Sequence, residues 1–147
     1  MKKFELTSET KINIFGKKLF RIKALVSFGV VKTGETGGWV EKEENVNQSG
    51  DAWVFGNAEV SGNARVSGNA EVFGNADYTT IHGFGTQFRT TTFFRCKDKQ
   101  VKVSCGCFYG TIPEFREQVK NTRDGKIAEE YLMIADLMEK HFAEEAK

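Results

Sequence analysis

Between Gly50 and Thr79 the chain repeats itself every six residues: GDAWVF, GNAEVS, GNARVS, GNAEVF, GNADYT. A helix repeats near 3.6 residues and a strand near 2, so a strict period of six fits neither as one long element. It suits a coil that turns a corner every six residues and runs a short strand along each flat side. In a strand such as Ala58-Glu59-Val60 the two ends face one way and the centre the other. Ala52, Ala58, Ala64, Ala70 and Ala76 are therefore expected inside, with Val54, Val60, Val66 and Val72. Gly-Asn takes the corner, because both residues tolerate left-handed backbone at little cost.

Val60…Ala64, Val66…Ala70 and Val72…Ala76 place a small residue four positions after an aliphatic one. In this the chain resembles the left-handed β-helix of hexapeptide-repeat proteins, with Tyr78 in the aliphatic position of the last copy. The resemblance implies three hexads per triangular turn, hence fewer than two full turns here, and open ends that need capping. It also implies that residues eighteen apart stack on one face. Phe55 should lie under Phe73, both outward, with Trp53 beside them, and Glu59 under Asp77. Arg65, between Ser61 and Ser67, occupies the third face. An outer aromatic face on so small a coil is either covered or a contact surface. Hexapeptide β-helices commonly assemble as trimers, which makes a homo-oligomer the expectation.

The flanking segments read as caps. KINIFGKKLFRIKAL alternates apolar and polar residues around a hairpin turn at FGKK. The GETGG run lacks the spacing of a phosphate loop and reads as a turn between strands. TQFRTTTFFRCKDKQVKVSCGCFYG reads as two strands around KDKQ. Two helices follow: one is capped by Thr111 with Pro113 in its first turn, and the other carries Ile127, Tyr131, Ile134, Leu137, Met138 and Phe142 on one side. The expected architecture is mainly β: an N-terminal β cap over residues 1–44, a short left-handed β-helix over 45–82, and a β-hairpin with two C-terminal helices over 83–147. The three parts form one compact unit.

Composition narrows the function classes. Lys and Arg total 21 against 20 Asp and Glu, so no global field steers the chain to nucleic acid or an anionic membrane. No apolar run approaches the ~20 residues that span a bilayer. The start, MKKFELTSET, has no apolar segment of the secretory type, and three cysteines suit a reducing cytosol. Cys96, Cys105 and Cys107 with His82 or His141 would make a zinc set, but one residue between Cys105 and Cys107 is short for a zinc knuckle. They read better as buried small residues, and no metal or cofactor is expected. His82 follows the last copy and is the candidate base if the chain is a hexapeptide-type acyltransferase, although the coil is short for an acyl-carrier groove. Arg65, Arg89 and Arg95 flank Phe88, Phe93 and Phe94, a mixture that can hold a phosphate and stack a base. A half-exposed hairpin has the same composition.

LFRIKAL…FGVVKTGETGGWVE, the GNA hexads and TTTFFR…VKVSCGCFYGTIPEFREQV in that order resemble small phage and prophage proteins described only as hexapeptide-repeat or polymer-forming. The resemblance spans Leu19 to Val119. It implies an accessory viral setting in the cytoplasm of a host bacterium. By analogy of fold and setting, the leading expectation is a non-catalytic antagonist of bacterial immunity. It would sequester a nucleotide signal or grip a host defence protein through Trp53, Phe55, Arg65, Phe73, Arg89 and Arg95. No membrane and no sequence-specific nucleic acid is expected as a partner. An acyltransferase using His82 and a structural assembly protein are the alternatives.

Overall fold

The computed structural model describes residues 2–74, 77–86, 89–96, 98–105 and 108–143. In chain order its elements are β1 (Phe4–Ile12), β2 (Lys18–Ala24), β3 (Thr36–Val40), β4 (Trp53–Val54), β5 (Glu59–Val60), β6 (Glu71–Val72), β7 (Tyr78–Phe84), β8 (Arg89–Arg95), β9 (Val101–Cys105), β10 (Phe108–Thr111), α1 (Ile112–Thr122) and α2 (Gly125–Phe142). Among the described residues the structure is mainly β with two α-helices.

The hexads form stacked parallel rungs. Trp53 pairs with Glu71 and Val54 with Val72, eighteen residues on. The amides of Asp51, Trp53 and Phe55 donate to the carbonyls of Gly68, Ala70 and Val72 at 2.9, 3.1 and 2.8 Å. A second parallel pair sets Val40 of β3 on Val60 of β5, and a single bridge sets Val46 on Val66. Three parallel contacts thus set one segment on another, at 39–40 on 59–60, 46 on 66 and 53–54 on 71–72. Spacing from valine to valine is six residues at 40–46, 54–60, 60–66 and 66–72 but eight at 46–54. Two extra residues therefore bulge at the corner between Val46 and Val54.

The interior is the ladder that the alternation requires. Ala52, Val54, Ala58, Val60, Ala64, Val66, Ala70 and Val72 are all between 0 and 2% exposed. Ala76, expected beside them, lies outside the described residues. Buried Asn45 ties the rungs together: its Oδ1 accepts from the amides of Glu41 and Lys42, and its Nδ2 donates to the carbonyls of Gly62 and Ala64. All four amide positions are satisfied, which a buried side-chain amide needs.

β1, β2 and β3 continue into the coil through β5 as one four-stranded sheet. Phe4, Ile22, Ala24 and Val31 join the coil's own core, so the N-terminal segment shares that core. The GETGG run is a turn only in its first half, where Gly34 takes φ +87°. Gly37 and Gly38 belong to β3 instead. A Cβ at Gly37 would stand 2.6 Å from Val54 O and 2.7 Å from the Trp53 ring, and one at Gly38 would stand 2.6 Å from Ala58 O. The coil comes too close for any side chain, and that is why both are glycine.

The expected hairpin around KDKQ is the middle of a larger sheet. β7, β8, β9 and β10 form an antiparallel meander in the order β10-β9-β8-β7. Tyr78 to Phe84, read from sequence as coil end and loop, pairs with β8 from Phe94 back to Arg89. Period-two alternation on β8 splits its phenylalanines: Phe94 packs into the coil core and Phe93 under the helices. α1 starts at a reciprocal cap, with Glu114 N donating to Thr111 Oγ1 at 3.2 Å and Thr111 N to Glu114 Oε1 at 2.8 Å. α2 buries Tyr131, Ile134, Ala135, Met138 and Phe142. Among the described residues, no helix is long and apolar enough to cross a membrane.

Candidate functional site

The corner with two extra residues opens a cleft of ≈ 890 Å³. Asn47 to Gly50 form one wall, Val66 to Gly68 of the rung above form the floor, and Ser104, Phe108 and Tyr109 close the far side. Gln48 holds the bulged wall in place: its Oε1 accepts from the amides of Lys3 and Phe4 at 2.7 and 3.1 Å, and its Nε2 donates to Glu43 Oε1 at 3.2 Å. Glu43 also pairs with Lys2 at 3.0 Å.

Two groups give the cleft its chemistry. Arg65 lines it with an exposed side chain, and its own amide donates to Thr92 Oγ1 of β8 at 3.0 Å, which docks the rung against the sheet. Tyr109, 44% exposed, covers Gly68, where an added Cβ would run into its hydroxyl. Its ring stacks on Phe94 with centroids 6.2 Å apart, and Lys102 Nζ lies 5.6 Å from the ring centroid. Gly68, at φ +62°, is glycine for both its backbone and this cover.

Beside Tyr109 sits Cys96, which is buried. Burial pushes the Cys96 thiol up to about 11. Burial and the neighbouring thiol push the Tyr109 phenol up to about 12. Both are therefore protonated near neutral pH. The cleft presents the Arg65 guanidinium, the rings of Phe108 and Tyr109, hydroxyls from Ser67, Ser104 and Tyr109, and, beside the Asn47 wall, the carboxylates of Glu43 and Glu44.

The residues singled out from sequence do not all gather here. Phe55 and Phe73 stack on the flank of the coil, 4.4 Å between centroids, with Phe73 59% exposed. Trp53, expected beside them on the outer face, is fully buried. Phe4 and Phe28 pack edge-on against it at 5.9 and 5.2 Å, because the N-terminal segment covers that face. Phe93 and Phe94, expected to stack a ligand, are likewise fully buried on the two faces of β8. Arg95 pairs with Asp77 at 3.3 Å and lies over the Phe142 ring. Glu59, expected under Asp77, pairs with Lys11 at 2.7 Å instead, because β7 leaves the coil to join β8. Arg89 opens β8 opposite Phe84. Arg89 and Arg95 are six residues apart on one strand, about 20 Å along the backbone, so their backbone positions lie at opposite ends of β8. Phe88 and Cys107 lie outside the described residues.

His82 is exposed on β7, with Nδ1 2.9 Å from Thr90 Oγ1. Cys105 accepts from Thr91 Oγ1 at 3.1 Å. Among the described residues, no three His, Cys, Asp or Glu side chains come together as a metal site. Sequence reasoning missed Phe108 and Tyr109, whose place opposite Gly68 depends on a long-range contact. It also passed over the eight-residue spacing from Val46 to Val54, which is legible in the sequence and marks the wall of the cleft. Comparison with protein-family models and with curated proteins returned no match.

Proposed function

We propose that this is a non-catalytic binding protein that holds a nucleotide-type ligand in the cleft between Arg65 and Tyr109. The observation that carries the reading is that cleft, with an exposed cation and an exposed aromatic ring lining one hollow of ≈ 890 Å³. The volume falls within the roughly 300–1,000 Å³ of small-molecule sites. Arg65 would take a phosphate in charge-assisted hydrogen bonds, and the Tyr109 ring would stack a base. Ser67 and Ser104 suit sugar hydroxyls.

The stacked parallel rungs and the Gly-Asn corners support a short left-handed β-helix as the finer description of the coil. The resemblance to small phage and prophage proteins supports the setting: an antagonist of bacterial immunity in the host cytoplasm that sequesters a nucleotide signal. Gripping a host defence protein is the other form of that role. Exposed Phe73 on Phe55, with Val30 62% exposed beside them, supports a homo-oligomer, with a trimer the first expectation. The same patch favours the second reading, a structural assembly protein with an empty cleft.

Calorimetric titration with mono-, di- and cyclic oligonucleotides tests the reading. Arg65→Ala should weaken binding by about tenfold or more, the usual range for a lost charge-assisted bond. His82→Ala should leave it unchanged, whereas an acyltransferase would lose turnover. Absence of heat for every nucleotide, with the oligomer intact, would favour the assembly role.

A further inference from the structure

The β1–β2 hairpin ends in a built tip. Asn13 Oδ1 accepts from the amides of Phe15 and Lys17 at 2.9 and 3.0 Å. Asn13 N donates to Lys17 O at 2.9 Å, and Gly16 N to Asn13 O at 3.0 Å. Four hydrogen bonds in five residues fix a turn whose two apolar side chains gain nothing from the fold. Ile14 is 93% exposed and Phe15 80%, with Ile12 behind them at 64%. β3 ends at Val40, opposite Phe20, so the end of the hairpin runs on beyond the third strand.

Within the end of the hairpin itself the charge has one sign. From Lys11 to Arg21 the sequence holds Lys11, Lys17, Lys18 and Arg21 and no Asp or Glu. Lys11 and Arg21 are engaged, by Glu59 and Glu9. Lys17 reaches Glu41 Oε2 only at 4.0 Å with its side chain 57% exposed, while Glu41 Oε1 accepts from the Gly62 amide. Lys18 Nζ lies 5.4 Å from the Phe20 ring centroid. The two cations nearest the tip in sequence are thus the two most available.

We propose that this hairpin is a membrane-docking finger, with Ile14 and Phe15 entering the acyl boundary of a bilayer and Lys17 and Lys18 meeting anionic headgroups. An apolar point ringed by cations is the chemistry that interfacial anchoring needs. The tip's shape selects a bilayer over a protein. A specific protein interface buries about 800 Å² per partner on matched surfaces, whereas a convex point of two side chains offers far less. A bilayer accepts such a point without a matching surface. The expectation of no membrane partner rested on the net charge of the whole chain and on the lack of a spanning segment. Neither bears on a local finger. One finger binds weakly, and several copies on one oligomer would add. The inference is independent of the cleft.

Co-sedimentation of the full chain with phosphatidylglycerol vesicles, and with phosphatidylcholine vesicles, tests it. The wild type should partition onto the anionic vesicles at low salt and release as salt rises. Ile14→Ser with Phe15→Ser should reduce partitioning by about tenfold or more, and Lys17→Gln with Lys18→Gln by about tenfold. All four side chains are exposed, so circular dichroism should be unchanged. As a second readout, Phe15→Trp should add emission that shifts to the blue on anionic vesicles. Failure of the wild type to sediment, equal binding by the double serine variant, or equal binding to both lipids would overturn the assignment. Capture of a protein partner through the same tip, with vesicles unbound, would overturn it in favour of a protein groove.

Discussion

Phe55 and Phe73, eighteen residues apart, lie face to face with centroids 4.4 Å apart and planes 15° from parallel. The stack is the outward sign of the rung register that seats Val54 on Val72 inside. Trp53, the chain neighbour of Val54, points out of the same rung but meets Phe4, Phe28 and Gly37 rather than solvent. One coil face therefore holds both a fully buried tryptophan and an exposed phenylalanine.

That difference sets an energetic contrast. Trp53→Ala should cost about 3–5 kcal/mol, the range for emptying a large aromatic site in a core. Phe73→Ala should cost the isolated subunit under about 1 kcal/mol. Denaturant unfolding of both variants measures the gap, and comparable losses would contradict the covered-face description.

Gly37 and Gly38 are closed to a side chain by backbone carbonyls, whereas Gly56 has only a left-handed φ of +58° and open space around it. Gly56→Ala should cost about 1–2 kcal/mol of backbone strain. Gly38→Ala should cost at least about 3 kcal/mol, because neither Ala58 O nor Val54 can move without breaking a rung. Equal midpoints for the two variants would refute this contact.

Lys3 gives a pH signature. Its Nζ is buried, donates to Gly50 O and Ala52 O, and is held down to about 8 by desolvation, partly offset by Asp51. Below about pH 8 both folded and unfolded chains carry the proton, and the folded state bears the cost of a buried charge. From about 8 to 10.5 the folded state has released the proton while the unfolded state still binds it, so stability rises with pH across that window. Above 10.5 both are neutral and the change is complete. The stability of the wild type relative to Lys3→Met should therefore rise between pH 7 and 10.5, read from urea midpoints; a constant difference would contradict the burial of Lys3.

Cys96 should resist alkylation. With its thiol near 11, only about one molecule in a thousand is thiolate at pH 8, and the side chain is 3% exposed. Iodoacetamide labelling followed by peptide mass spectrometry should find Cys96 modified more than about a hundredfold slower in the native than in the unfolded chain. Equal rates would mean that Tyr109 does not shield it.

Local periodicity carries the coil. Alanine and valine at fixed offsets name the interior, and eighteen-residue spacing pairs Phe55 with Phe73. What periodicity lacks is cover. Trp53 and Phe55 have the same outward position in sequence, and only the return of Phe4 and Phe28, far away in the chain, buries one of them. Phe93 and Phe94 look like surface aromatics in a TTTFFR strand because the two layers that bury them come from the coil and from the helices, where Phe115 of α1 meets Phe93 edge-on. The cleft was half legible: Arg65 stood out, but Tyr109 reaches it only because β10 brings its side chain over Gly68.

Native mass spectrometry of protein purified from a bacterial host without added ligand tests the central claim most directly. A homo-oligomer, trimer first, should retain nucleotide-sized mass in the wild type and lose it in Arg65→Ala while the subunit count stays the same. A bare monomer, or retained mass that Arg65→Ala leaves untouched, would contradict a nucleotide held between Arg65 and Tyr109.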